Sequence, residues 1–113
     1  MNKLIQKTRN GELALGCQAQ DPETVEMLAY CGVDFIWADM MWGGLDWSGA
    51  QQIVRSCEAT NIGSLVRVQA EPWLPGTDKR AIADCHRVLT LGATGPIVSA
   101  SCLEEIEYMV AVS

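Results

Sequence analysis

Three glycines set the rhythm of this chain. Gly32, Gly63 and Gly92 stand 31 and 29 positions apart by subtraction, and each closes a helix-like segment and introduces a short apolar run. A period of roughly 30 residues is the length of one strand–crossover unit. The runs are Val33-Asp34-Phe35-Ile36-Trp37-Ala38, Ser64-Leu65-Val66-Arg67-Val68 and Gly95-Pro96-Ile97-Val98-Ser99, with an earlier one, Leu13-Ala14-Leu15-Gly16-Cys17. Strands this continuously apolar are buried on both faces, as in a parallel sheet covered by helices.

The segments between the runs carry helix signals. Asp21-Pro22-Glu23 offers an N-cap, a proline at the first helical position and an early acid, and Val25, Leu28 and Ala29 form a stripe that Gly32 closes. A second helix starts near Asp46 or Ser48 and places Ala50, Ile53, Val54 and Cys57 on one face. A third follows Pro75-Gly76, is capped by Thr77 or Asp78, and turns Ile82, Cys85 and Leu89 inward. The capping box Ser101-x-x-Glu104 opens a fourth, with Ile106, Met109 and Val110 apolar.

Four strand–helix units in series predict an α/β chain: residues 1–113 as a single (βα)4 portion of a TIM (β/α)8 barrel, apparently incomplete, because four parallel strands leave two unpaired edges. The alternative is a small open parallel α/β sheet. A doubly wound sheet needs a crossover that reverses the strand order, and no segment marks one. At 113 residues, 49% hydrophobic and 19% charged, the chain has the make-up of one globular domain.

A formal net charge of -6 with no Lys/Arg cluster repels phosphate, which argues against nucleic acid and anionic membrane surfaces as partners. The start, Met-Asn-Lys-Leu-Ile-Gln-Lys-Thr-Arg-Asn-Gly, lacks the apolar core of a signal peptide, so a cytoplasmic location is expected. Five cysteines, Cys17, Cys31, Cys57, Cys85 and Cys102, are odd in number and never in Cys-x-x-Cys. They read as reduced and mostly buried thiols.

In a barrel the chemistry sits at the C-terminal ends of the strands. The polar residues placed there are Gln18, Gln20, Asp39, Arg67, Gln69, Ser99 and Ser101. Arg67 interrupts an apolar strand, where an unpaired guanidinium costs several kcal/mol. Either it is a fixed cation for a carboxylate or enolate oxygen, or it is paired internally with Asp39 or Glu71. Asp39 is either an outer hydrogen-bond acceptor for a metal-bound water or a cap for the loop 40–44. His86 lies within a helix and reads as a packing or surface residue. Trp37, Trp42, Trp47 and Trp73 either line an apolar pocket wall or pack the core.

The run Gly32-Val33-Asp34-Phe35-Ile36-Trp37-Ala38-Asp39, then Val66-Arg67-Val68, then Leu91-Gly92-Ala93-Thr94-Gly95-Pro96-Ile97-Val98 with Glu104-Glu105 downstream, resembles the HpcH/HpaI aldolase/citrate lyase family, in its N-terminal half only. The resemblance implies a (β/α)8 barrel of roughly twice this length, dependent on a divalent metal, Mg or Mn, and making or cleaving carbon–carbon bonds of pyruvate-like 2-oxo acids with aldehydes. It implies Arg67 as the catalytic residue that contacts the oxo group and Asp39 as the aspartate that ends the second strand; with the strand-end reading, Arg67, Gln18 and Trp42 are the expected substrate contacts and Asp39 their outer support. Met41 and Trp42 stand where the family has Glu-His, and Thr90 where it has an aspartate that pairs with that histidine. The family's metal-binding acids fall beyond Ser113, so no metal ligand is assigned here. The expected function is that of a divergent aldolase-like carbon–carbon lyase, inactive without its other half. The expected partners are a small 2-oxo acid and either a second copy or the missing half-barrel. The competing readings are a non-catalytic half-barrel that self-associates and a truncated gene product.

Overall fold

The computed structural model describes residues 1–69 and 78–98, with 107, 110 and 111 toward the C-terminus. In chain order the elements are α1 (Lys3–Arg9), β1 (Gly16–Gln18), α2 (Pro22–Tyr30), β2 (Phe35–Asp39), α3 (Trp47–Ala59), β3 (Gly63–Arg67), α4 (Asp78–Thr90) and β4 (Gly95–Ile97). Glu107, Val110 and Ala111 are helical, and the remainder of the helix predicted from Ser101 lies outside the described residues.

Helices α1 to α4 end alike. Gly11, Asn61, Gly32 and Gly92 take positive φ angles of 70°, 58°, 102° and 96°. Around each, the two amides that follow the helix turn back onto its last carbonyls: Val33 N to Leu28 O at 3.2 Å, Ile62 N to Cys57 O at 3.1 Å, Ala93 N to Val88 O at 3.3 Å and Glu12 N to Lys7 O at 2.9 Å. This is the Schellman arrangement, in which a left-handed residue reverses the chain and satisfies the orphan carbonyls. The terminator of α3 is therefore Asn61 rather than Gly63, a residue type whose short polar side chain also tolerates this conformation.

Gly63 opens β3 and serves a different end. A Cβ there would stand 2.6 Å from Cβ of Leu4, so its bare backbone lets α1 lie against the strand. The sequence reading assigned no element to residues 3–9. The signals were present: Asn2 caps the helix, accepting from Ile5 N at 3.0 Å, Lys7 and Arg9 occupy the last turn, and Gly11 ends it. What they lacked was an apolar stripe, since α1 has no fully buried residue.

The sheet is parallel throughout, in the order β1-β2-β3-β4. Among the described residues no strand reverses the order, which disfavours the doubly wound alternative. This is the α/β, (βα)-repeat arrangement of a barrel portion, and the sheet is open rather than closed. One face is sealed: Ile36, Ala38 and Val66 have no exposure and pack with Val25, Ile53, Val54 and Val88 from the helices. Each large aliphatic side chain buried this way stabilises the fold by about 1.5–3 kcal/mol. Phe35, Trp37, Leu65 and Ile97 alternate with these residues onto the opposite face and are only half-buried. Strand β1 lies one to three residues later than its apolar run predicts, leaving Leu13 and Leu15 exposed. The thiols divide evenly rather than being mostly buried: Cys57 and Cys85 are inside, Cys17 and Cys31 outside, and Cys102 falls outside the described residues.

Candidate functional site at the C-terminal rim of the sheet

The two ends of the sheet are built differently. At the N-terminal end, Asp34 is buried just before β2, and its Oδ2 accepts from Lys7 Nζ and from Leu15 N, each at 2.9 Å. The Leu15 amide and the Lys7 ammonium hold its carboxyl below the usual value of 3.8. Asn2 Nδ2 donates to Thr94 Oγ1 at 3.0 Å, Ser64 N donates to the same oxygen at 3.1 Å, and Lys3 N donates to Asn61 O at 3.0 Å. Helix α1 is thus fastened across the starts of β2, β3 and β4, which closes that end.

The C-terminal end carries the candidate residues. Asp39 ends β2 and pairs in register with Arg67, the last residue of β3. Asp39 Oδ1 accepts from Met41 N at 2.8 Å and from Trp42 N at 3.1 Å, so the aspartate caps the loop 40–44. Its other oxygen, Oδ2, is 3.8 Å from Arg67 Nη1. That is an ion-pair distance but too long for a hydrogen bond. Among the described residues, Arg67 Nε is buried without a hydrogen-bond partner, and so is Trp37 Nε1. The Arg67 side chain keeps 21% of its surface exposed. Arg67 and Trp37 occupy alternate positions on the same half-bare face of the sheet, since Trp37 pairs with Leu65 and Asp39 with Arg67. Both donors without acceptors therefore lie on the half-bare face of the sheet, where their hydrogen-bonding capacity is unspent.

Gln20 is fully used by the structure. Its Nε2 donates to Asp39 O at 3.1 Å and Gly43 O at 3.2 Å, and its Oε1 accepts from Asp39 N at 3.0 Å. A Cβ at Gly43 would run into this amide, so the glycine permits the tie. Gln20 therefore fixes the rim loop, a role that its position after β1 did not reveal. Gln18 is exposed at the end of β1, beside Trp37 rather than Arg67. Trp42 is 76% exposed on the loop. Trp47 begins α3 and lies under Arg87 of α4, 4.2 Å from ring centroid to guanidinium, on the helical side. Trp37, Trp42 and Trp47 thus do not gather into one wall. Thr90 ends α4 and gives its hydroxyl to His86 O at 2.9 Å. It lies at the start of β4, across the sheet from Trp42, so these two positions are not brought together. Gln69 is exposed, and Glu71, Trp73, Ser99, Ser101, Glu104 and Glu105 lie outside the described residues.

No family model and no curated protein matches the sequence. Solved structures do. Citrate synthase SbnG superposes with a TM-score of 0.79 and 29% identity, covering 98% of this chain and 43% of that one. An HpcH/HpaI aldolase/citrate lyase family protein from Burkholderia cenocepacia J2315 matches with a TM-score of 0.70 and 25% identity over 99% of this chain and 42% of its own. The HpcH/HpaI aldolase from Desulfitobacterium hafniense DCB-2, at 20% identity and a TM-score of 0.78 over 97% of this chain and 40% of its own, shows likeness of fold alone.

Proteins of this family are generally metal-dependent. Among the described residues no group of three or more His, Cys, Asp or Glu could hold an ion, and Asp39 at the end of β2 has an oxygen committed to two amides. The described residues by themselves do not fit a metal site. The chain spans less than half the length of the solved structures it matches, and its fold is that of HpcH/HpaI aldolase/citrate lyase family proteins over a stretch consistent with their N-terminal half.

Proposed function

We propose that the C-terminal rim of this sheet binds a small 2-oxo acid through Arg67, as one part of an aldolase-like carbon–carbon lyase. The observation that carries the reading is the buried, unpartnered Nε of Arg67 beside an aspartate too distant to hydrogen-bond. A planar guanidinium presents two N–H groups to a carboxylate or to an oxo oxygen, and its charge stabilises the enolate that forms when the adjacent carbon–carbon bond breaks. Asp39 holds the loop 40–44 over the rim and keeps the guanidinium oriented. Trp37 Nε1 is a second donor on the same face. The acid/base step and any metal belong to residues beyond those described, so the isolated chain binds without turnover. Free Cys17 and Cys31 on the surface suit a reducing, cytoplasmic setting.

Calorimetry with oxalate, a mimic of the enolate, and with pyruvate tests the reading. Oxalate is expected to bind the wild-type chain more tightly than pyruvate and to show no heat with Arg67→Met. Absence of binding to the folded wild-type chain would refute it.

A further inference from the structure

Gln20 stands where β1 has run out of backbone. Among the described residues, main-chain bonding from that side to β2 ends with Ala19 N on Trp37 O at 3.2 Å, and Asp21 is already the N-cap of α2. The amide and carbonyl of Asp39 face this side, since Met40 N, one residue on, bonds to Arg67 O across β3 at 3.0 Å. With no peptide opposite them, both are taken by the carboxamide of Gln20, which offers the donor and acceptor of a peptide unit. Its Oε1 accepts from Asp39 N at 3.0 Å and its Nε2 donates to Asp39 O at 3.1 Å. The second hydrogen of Nε2 goes to Gly43 O at 3.2 Å. One side chain thus pins the end of β2 and the loop beyond it. A Cβ at Gly43 would strike the amide and stand 2.7 Å from Asp39 O, so the glycine is part of the fit.

The effect reaches Arg67. Asp39 Oδ2 and Arg67 Nη1 are 3.8 Å apart, on side chains only 5% and 21% exposed. A charge-assisted hydrogen bond between such groups closes to about 2.7–2.9 Å, which takes a shift of about 1 Å. Asp39 is denied that shift from two directions. Its backbone is held by Gln20, and its Oδ1 by Met41 N and Trp42 N of a loop that Gln20 also holds at Gly43. We propose that Gln20 is a positioning residue, which together with Gly43 keeps the Asp39 carboxylate off Arg67 and leaves the guanidinium open to an anionic ligand. A guanidinium closed on its own aspartate would have to be opened before it could take an anion, and affinity would fall accordingly. What the opening is for rests on the 2-oxo acid reading of Arg67; that Gln20 maintains it rests on these hydrogen bonds alone.

The side-chain N–H signals of Arg67, followed by NMR in ligand-free protein, read the gap directly. Gln20→Met keeps the length of the side chain and removes its hydrogen bonds. Gly43→Ala disturbs the same tie from the other end, and serves where Gln20→Met fails to fold. In each, the Arg67 signals are expected to move downfield as the pair closes, and adding Asp39→Asn is expected to reverse the shift. A role confined to holding the loop would quicken hydrogen exchange at Met41 and Trp42 without moving Arg67. In calorimetry, Gln20→Met should weaken oxalate binding at least about tenfold, and the affinity should return in the double variant with Asp39→Asn. Arg67 signals unmoved in the folded variants, or a shift that Asp39→Asn leaves in place, would overturn the proposal. If the wild-type chain takes no oxalate, the ligand reading fails by itself, and the Arg67 signals still decide the role of Gln20.

Discussion

Strand β2 carries a buried aspartate at each end, and the two are used in opposite ways. Asp34, just before the strand, gives one oxygen to a backbone amide and to an ammonium, both at hydrogen-bond distance. Asp39, at the far end, caps a loop with one oxygen and leaves the other 3.8 Å from a guanidinium whose Nε has no acceptor. The first is a closed structural joint that anchors β1 and α1 to the sheet. The second leaves donor capacity unspent at the rim, where the proposed ligand would be held.

The largest effect should come from breaking the closed end. Asp34→Ala strips the Leu15 amide and Lys7 of their acceptor and is expected to cost about 2–3 kcal/mol in a urea melt. Lys7 is partly exposed, so the amide supplies much of this figure. The pH dependence follows from the lowered carboxyl of Asp34. Its contribution is complete above the ordinary value of 3.8 and drains away as the pH falls from there through the lower folded-state value. Asp34→Asn should therefore flatten the acid limb of the stability curve; an unchanged limb would mean that other carboxylates govern acid unfolding.

Next in size is the contact that fastens α1. Gly63→Ala sets a methyl 2.6 Å from Cβ of Leu4, and the helix has to shift at a cost of about 1–3 kcal/mol in the same melt. Faster hydrogen exchange in residues 3–9 would locate the loss.

The open end should respond in ligand affinity rather than stability. Arg67→Met is expected to change stability by less than about 1 kcal/mol, because the ion pair is long and part-exposed, while oxalate binding disappears. A loss of about 3–5 kcal/mol with unchanged affinity would instead mark Arg67 as the locked partner of a buried carboxylate, and the contrast between the two aspartates would collapse. The smallest effect concerns the thiols. Burial pushes Cys57 up to about 12 and also raises Cys85, so at pH 8 alkylation of the dilute chain should reach Cys31 and Cys17 well before either.

Much of this architecture was legible because it rests on local chemistry. The apolar runs located β2, β3 and β4 to within a few residues, and Asp21-Pro22 and Asp46 marked the starts of α2 and α3 where their side chains now accept from Thr24 N and Gly49 N. Helix α1 escaped because it is amphipathic only in relation to the sheet it lies against; Leu4 meets a glycine rather than a stripe of its own kind. Gln20 was placed at the rim correctly, yet its bonds go to Asp39 and Gly43, which lie 19 and 23 positions away. Spacing along the chain carries no information about such a tie.

The sequence by itself determined the repeat, the parallel strands and the left-handed glycines Gly32 and Gly92 that end α2 and α4, since these follow from apolar periodicity and from φ preferences within a few residues. Only the tertiary structure decided which aspartate is satisfied and which is not. Asp34 and Asp39 are the same residue type five positions apart at the two ends of one strand, and what distinguishes them is α1 folding back over one end of the sheet, with no element among the described residues doing the same at the other.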